Sequence, residues 1–137
     1  MYKLEHIGIA VKDLQKSNQL FELLLGIGHF KTETVGSEGV TTSFFQTGES
    51  KIELLESHME GSAIGRFIEK RGEGIHHIAF EVPNIRKEMH RLREEGFQLL
   101  SNHPFRGADN KWVCFIHPKS ANGVLVELCQ SIPEEEE

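Results

Sequence analysis

Four residues have the types and the spacing to do chemistry together. His6 and His77 each open a strand-like run, HIGIAV and HIAFEV, while Glu53 and Glu127 each sit inside an apolar run, KIELLE and LVELCQ. A carboxylate in the middle of an apolar strand is expensive to desolvate unless it is paired, hydrogen-bonded or bound to a cation. Two imidazoles with two carboxylates also form a donor set for a divalent metal, whose charge offsets that of the acids. A lone buried histidine is more often a hydrogen-bonded core residue, and a lone strand glutamate usually faces solvent. The matched pairs shift the balance toward a two-histidine, two-carboxylate metal site built from His6, His77, Glu53 and Glu127.

The elements that must position these residues are duplicated. Laid over itself at an offset of 71 residues, the chain matches HIGIAVKDLQK to HIAFEVPNIRK, with identity at His6/His77, Ile7/Ile78, Val11/Val82 and Lys16/Lys87. Each run leads to a helix-capping residue, Asp13 or Asn84, followed by apolar positions at helical spacing: Leu14, Phe21, Leu24 and Leu25, then Ile85, Met89 and Leu92. Gly26 and Gly96 stop the helices. Three β-rich runs follow each stop, predicted at 29–35, 40–47 and 51–55 in the first half and at 97–101, 112–117 and 124–130 in the second.

The unit is therefore βαβββ, used twice, at about 4–57 and 75–131, with a connecting helix over 62–71. We expect one domain over 1–132 and an acidic disordered tail over 133–137. The fold class is α+β: two tandem modules forming an incomplete, curved mixed β-barrel around the metal site, with helices on the convex side. A module of this size cannot bury its sheet face alone. Strand alternation makes Ile7, Ile9 and Val11, and likewise Ile78, Phe80 and Val82, the bulky side a helix can cover. His6 and His77, beside the small Gly8 and Ala79, mark the roomy side. His76 then points away from His77. His29, His58, His90 and His103 have no counterpart in the repeat, and His117 falls at a strand end near the expected pocket rim.

Composition removes several classes of function. The net charge is −6, and setting aside the four acids of 134–137 leaves only −2, with no basic stripe to neutralise phosphates, so nucleic acid is not an expected partner. Neither a membrane span nor a signal peptide is legible. Cys114 and Cys129 lie in apolar runs without metal or redox spacing, and read as reduced core thiols of a cytoplasmic protein.

Paired βαβββ modules with a histidine on the first strand of each resemble the vicinal oxygen chelate superfamily, which includes glyoxalase I, extradiol dioxygenases and fosfomycin-resistance proteins. Within it, FIEKRGEGIHHIAFEV and HPKSANGVLVELCQ resemble the methylmalonyl-CoA epimerase family. The resemblance implies a metal held by His6, His77 and Glu127, with Glu53 where some members have glutamine. It implies inversion at the α-carbon of methylmalonyl-CoA, with the thioester and carboxylate oxygens chelating a Co, Mn, Zn or Ni ion and an enolate as the intermediate. Glu127 is the expected proton acceptor on one face, Glu53 on the other, and Glu38 a weaker candidate. One departure stands out: where some members carry a catalytic glutamate shortly after Gly-Val, this chain has Thr41 and Thr42 after Gly39-Val40.

An acyl-CoA partner calls for positive charge, and Arg106, Lys111 and Lys119 are the expected rim. A homodimer is expected, edge strands offering a route to association. The competing functions are an extradiol-type Fe(II) dioxygenase, a glyoxalase-like lyase, and a nonenzymatic antibiotic-binding module. An acidic fourth ligand at Glu53 would crowd the positions a dioxygenase needs for catechol and oxygen.

Overall fold

Alternating side chains build the first strand, β1 (Lys3–Ala10), and Asp13 caps the helix that follows, α1 (Leu14–Leu25). The Asp13 carboxylate accepts from the Lys16 amide at 3.1 Å, satisfying one of the amides that a helix start leaves without an intrahelical partner. Gly26 closes the helix at φ +72°, a left-handed conformation that a β-carbon disfavours. Three strands follow: β2 (Lys31–Val35), β3 (Val40–Thr47) and β4 (Ser50–Ser57). They lie in the order β2-β3-β4-β1, with β3 antiparallel to both neighbours and β4 parallel to β1. Between β2 and β3 the chain turns through Gly39, where a β-carbon would come within 2.5 Å of the Met59 Cβ. The connecting helix, α2 (Ala63–Arg71), is capped by the Ser62 hydroxyl.

The second half repeats this plan. It comprises β5 (Gly74–Glu81), α3 (Ile85–Glu94), β6 (Phe105–Gly107), β7 (Lys111–Ile116) and β8 (Val126–Ser131), ordered β5-β8-β7-β6. Asn84 caps α3 by accepting from the Lys87 amide at 3.1 Å. The agreement reaches single hydrogen bonds. The first amide of α1, on Leu14, donates to Glu56 of β4 at 3.2 Å, and that of α3, on Ile85, donates to Gln130 of β8 at 2.8 Å. Residues 1–133 are described in this computed structural model, so the expected acidic tail, apart from Pro133, lies outside the described residues. These residues fall into two compact units, 6–76 and 77–133 together with 1–5.

Each unit covers the bulky face of its sheet with its own helix. Val11, Leu14, Phe45 and Leu54 are buried together with Ile9, Phe21 and Leu25 beside them in the first. In the second, Val82, Ile85, Met89, Leu92, Cys114, Ile116 and Leu128 form the core with Phe80. On the other face of the first sheet, Ala10, Val40 and Leu55 pack with Ile64, Phe67 and Ile68 of α2. Cys114 and Cys129 are buried free thiols, and burial pushes the Cys114 thiol up to about 11 and that of Cys129 higher still.

Two expectations need correction. Residues 1–5 group with the second unit, although the repeat assigns β1 wholly to the first. The Tyr2 hydroxyl donates to Glu88 of α3 at 2.8 Å, its ring lies 6.1 Å from that of Phe80, and Glu5 reaches Lys111. The predicted strand at 97–101 is not one. Leu99 makes an isolated bridge to Ile116, and the regular strand begins only at Phe105, opposite Val113. Pairing therefore slips by three residues across Asn102-His103-Pro104. Pro104 has no amide to donate to the ladder. Arg93 of α3 holds the extruded loop by donating to the Ser101 and Asn102 carbonyl oxygens, each at 2.9 Å.

Candidate active site

The four candidate ligands form two pairs, one in each unit. Glu53 Oε1 lies 3.1 Å from His6 Nε2, with both side chains buried. Glu127 Oε1 lies 3.2 Å from His77 Nε2, again buried. Strand register explains both. Gly8 of β1 stands beside Glu53 of β4, and Ala79 of β5 beside Glu127 of β8, so each glutamate can lean across a small neighbour to the histidine two residues earlier. On its other side each glutamate faces a phenylalanine: Phe44 of β3 opposite Glu53 and Phe115 of β7 opposite Glu127. Phe115 meets the His77 ring edge-on at 6.0 Å. Each carboxylate is thus buried between a phenylalanine on one side and a small residue on the other.

The remaining candidates fall elsewhere. Thr42 is buried on the face that carries Glu53, its hydroxyl within 3.5 Å of the Glu33 carbonyl oxygen. Glu38 sits in a single 3-10 turn before Gly39. Arg106 is exposed, stacked 5.4 Å over the Trp112 ring and bonded to Asn110. Lys119 is exposed, and its amide donates to Nδ1 of His117, which caps the same short turn. Lys111, expected at that rim, is instead tied inward. Its side chain is only 11% exposed, lies 3.8 Å from Glu5 and 4.0 Å from Glu81, and donates to Ser131 at 2.9 Å. His76 stacks edge-on against Phe67 at 5.0 Å, His29 pairs with Glu22, and His90 with Glu94.

Sequence reasoning did not single out Glu5, which is buried next to His6, or the pair Lys31–Glu33 on β2. The alternation in KTETV does place Lys31, Glu33 and Val35 on one face, and that signal would have found them.

The fold and the duplicated imidazole–carboxylate pairs define a class. The chain belongs to the glyoxalase/bleomycin resistance protein/dioxygenase superfamily, whose family model matches residues 5–115. Within that superfamily its relatives include proteins named as methylmalonyl-CoA epimerases. It is 42% identical over 130 residues to the ethylmalonyl-CoA/methylmalonyl-CoA epimerase of Cereibacter sphaeroides, covering 93% of this chain and 97% of the relative. A methylmalonyl-CoA epimerase variant from Streptomyces coelicolor, solved in complex with 2-nitronate-propionyl-CoA, superposes with a TM-score of 0.89 at 34% identity, covering 96% of this chain and 98% of the other. A hypothetical protein of Bacillus halodurans superposes with a TM-score of 0.94 at 43% identity over 99% of both chains. The likeness thus spans both modules, and the α+β fold is that of these proteins.

Proposed function

We propose that this protein is an isomerase that interconverts the epimers of methylmalonyl-CoA, using a divalent metal held by His6, His77, Glu53 and Glu127. The observation that carries the reading is the buried imidazole–carboxylate pair found at matching places in both modules, each on the sheet face turned away from α1 or α3. The donor set fits a cation, because two buried carboxylates need compensating charge, and His6, His77 and Glu127 have the donor types and burial of metal-holding residues. Imidazole with carboxylate suits Co, Mn, Zn or Ni. Bound there, the metal supplies the Lewis acidity that stabilises negative charge on the thioester oxygen.

The proton chemistry belongs to the chain itself. The bond between the α-carbon and its hydrogen breaks, the proton passes to Glu127, and the electron pair is taken up by the thioester as an enolate. Return of a proton to the opposite face completes the inversion. Glu53 is the donor we assign there, its carboxylate lying 3.1 Å from His6 as that of Glu127 lies 3.2 Å from His77. Arg106 and Lys119, both exposed, are the cations we assign to the CoA phosphates.

We place the enzyme in the cytoplasm as a homodimer. No helix of the described residues is long and apolar enough to cross a membrane. Leu20, Leu23 and Leu24 form an exposed stripe on the outer side of α1, which is consequently apolar on both faces. A second copy covering that stripe predicts that Leu23→Lys converts a dimer to a monomer in light scattering. A wild type of monomer mass removes this part of the reading.

The central test is proton NMR in deuterated water with one epimer of methylmalonyl-CoA. The α-hydrogen signal should disappear as the other epimer forms, and chelator should stop both. Persistence of the α-hydrogen with metal-supplemented protein would overturn the assignment.

A further inference from the structure

Methylmalonyl-CoA differs from simple acyl-CoA thioesters by a free carboxylate on the α-carbon, and a site that selects it needs a cation at a fixed place near the proposed metal ligands. Within residues 6–76 the strands put two lysines on the sheet face that carries Glu53. Lys51 stands in the row of Gln46 and His6, and Lys31 in the row of Phe44, Glu53 and Gly8. The Lys31 side chain has a defined course. Its Nζ lies 5.4 Å from the centroid of the Phe44 ring, so the stem crosses β3 inward, toward β4 and Glu53, and does not run out past the sheet edge. Glu33 holds the ammonium from Oε1 at 3.5 Å, longer than the roughly 3.2 Å of an ordinary hydrogen bond. An ammonium carries three donors, so one carboxylate does not exhaust it. In the other module the neighbour of Phe115, the counterpart of Phe44, is a phenyl ring, Phe105 at 6.1 Å. The lysine thus breaks the repeat, and the substrate brings one free carboxylate to be recognised.

We infer that Lys31 recognises the free carboxylate of the acyl group and so selects malonyl-type thioesters over simple acyl-CoA thioesters. The inference rests on the epimerase reading and on His6 and Glu53 as metal ligands, both of which lie in the same unit as Lys31. Adjacent strands are about 4.8 Å apart, so an ammonium over Phe44 stands roughly one spacing from the Glu53 side chain. A carboxylate bound at the Glu53 end of the row therefore comes within reach of Lys31. One of its oxygens faces the proposed ligands, and the other accepts a charge-assisted hydrogen bond from Nζ. The Lys31 side chain is 36% exposed, enough for an incoming carboxylate to share the ammonium with Glu33, while the Phe44 ring beneath it keeps its course. This task is separate from that of Arg106 and Lys119, which we assign to the CoA phosphates whatever the acyl group.

Binding, read apart from turnover, isolates this role. Calorimetry on metal-supplemented protein compares malonyl-CoA, which has the carboxylate and no stereocentre to invert, with propionyl-CoA, which has the thioester and no carboxylate. Lys31→Met keeps an apolar stem over Phe44 and should weaken malonyl-CoA by about tenfold or more, the scale of a hydrogen bond to a charged group, while propionyl-CoA stays within about twofold. Lys31→Arg keeps the charge and should bring malonyl-CoA back to within about threefold of wild type. Equal weakening of both ligands, in a Lys31→Met variant that unfolds in urea like wild type, overturns the inference, because the cation would then serve the CoA moiety they share. Malonyl-CoA binding within about twofold of wild type in Lys31→Met overturns it too, as does a loss of selectivity that follows Lys51→Met instead. Each of these outcomes leaves the epimerase reading intact. That reading fails separately, if wild type in deuterated water neither exchanges nor inverts one epimer of methylmalonyl-CoA.

Discussion

The two halves of the repeat agree along the strands beside β1 and β5 and part company two strands further out. Around Glu53 and Glu127 the correspondence is residue by residue: histidine two places before a small neighbour, phenylalanine opposite the acid, and a glutamate or glutamine capping the helix amide. At the outer edge the first unit has a continuous β2 carrying Lys31 and Glu33, whereas the second has a ladder interrupted at 102–104 and Phe105 in the place that matches Glu33. Phe105 lies 6.1 Å from Phe115, so that edge presents apolar rings where the other presents a charged pair. Symmetry is kept around the proposed metal ligands and broken at the outer edges of the two sheets.

The sharpest way to break this comparison is to treat the two glutamates alike. Glu127→Gln removes the proposed base and should lower α-hydrogen exchange about 1000-fold, a cost of about 4 kcal/mol in barrier height. Glu53→Gln keeps an oxygen donor in place and should stay within about tenfold. Exchange rates from NMR for the two variants decide it: equal losses would mean that the halves share the proton work evenly, and a greater loss at Glu53 would reverse their roles.

The inner symmetry was legible in the sequence because it depends on local rules. Asp13 and Asn84 announce helix starts, strand alternation separates Ile9 and Val11 from His6, and an acid inside KIELLE or LVELCQ demands a reason. The outer edges were less legible. Residues 97–101 have the composition of a strand, and only the pairing partner reveals that Pro104 and its neighbours push the regular ladder on to Phe105. Lys111 misled for a related reason. Its charge suggests solvent, but what decides its role is Glu5, more than a hundred residues earlier, and no local pattern links the two. Glu33 was readable by parity alone, yet β2 is exposed at alternate positions and gives no burial signal to draw attention to it.

The next largest effect separates the cations of the second unit. Lys111→Met would remove the ammonium beside the buried Glu5 carboxylate and the partly exposed Glu81, and should cost about 3 kcal/mol in urea unfolding. Adding Glu5→Gln should recover part of that loss. Replacing Arg106 and Lys119 together should leave unfolding unchanged but weaken CoA binding in calorimetry. If Lys111→Met instead unfolds like wild type and loses CoA, then Lys111 belongs to the ligand rim after all.

The smallest effect tests how deep the symmetry runs. Asp13→Ala and Asn84→Ala each remove one cap and should each cost about 1 kcal/mol. These caps sit on different helices in different units and share no partner, so the double variant should be additive. Asp13→Ala with Glu56→Ala should not be, because both side chains satisfy amides of the same first turn of α1. Once one is gone the turn frays and the other has less to hold, so the pair should cost less than the sum. The same subadditivity is expected for Asn84→Ala with Gln130→Ala on α3. Were the coupling present in one unit and missing in the other, the strand-to-helix brace would be a feature of a single module, and the duplication would reach the proposed metal ligands without reaching the scaffold around them.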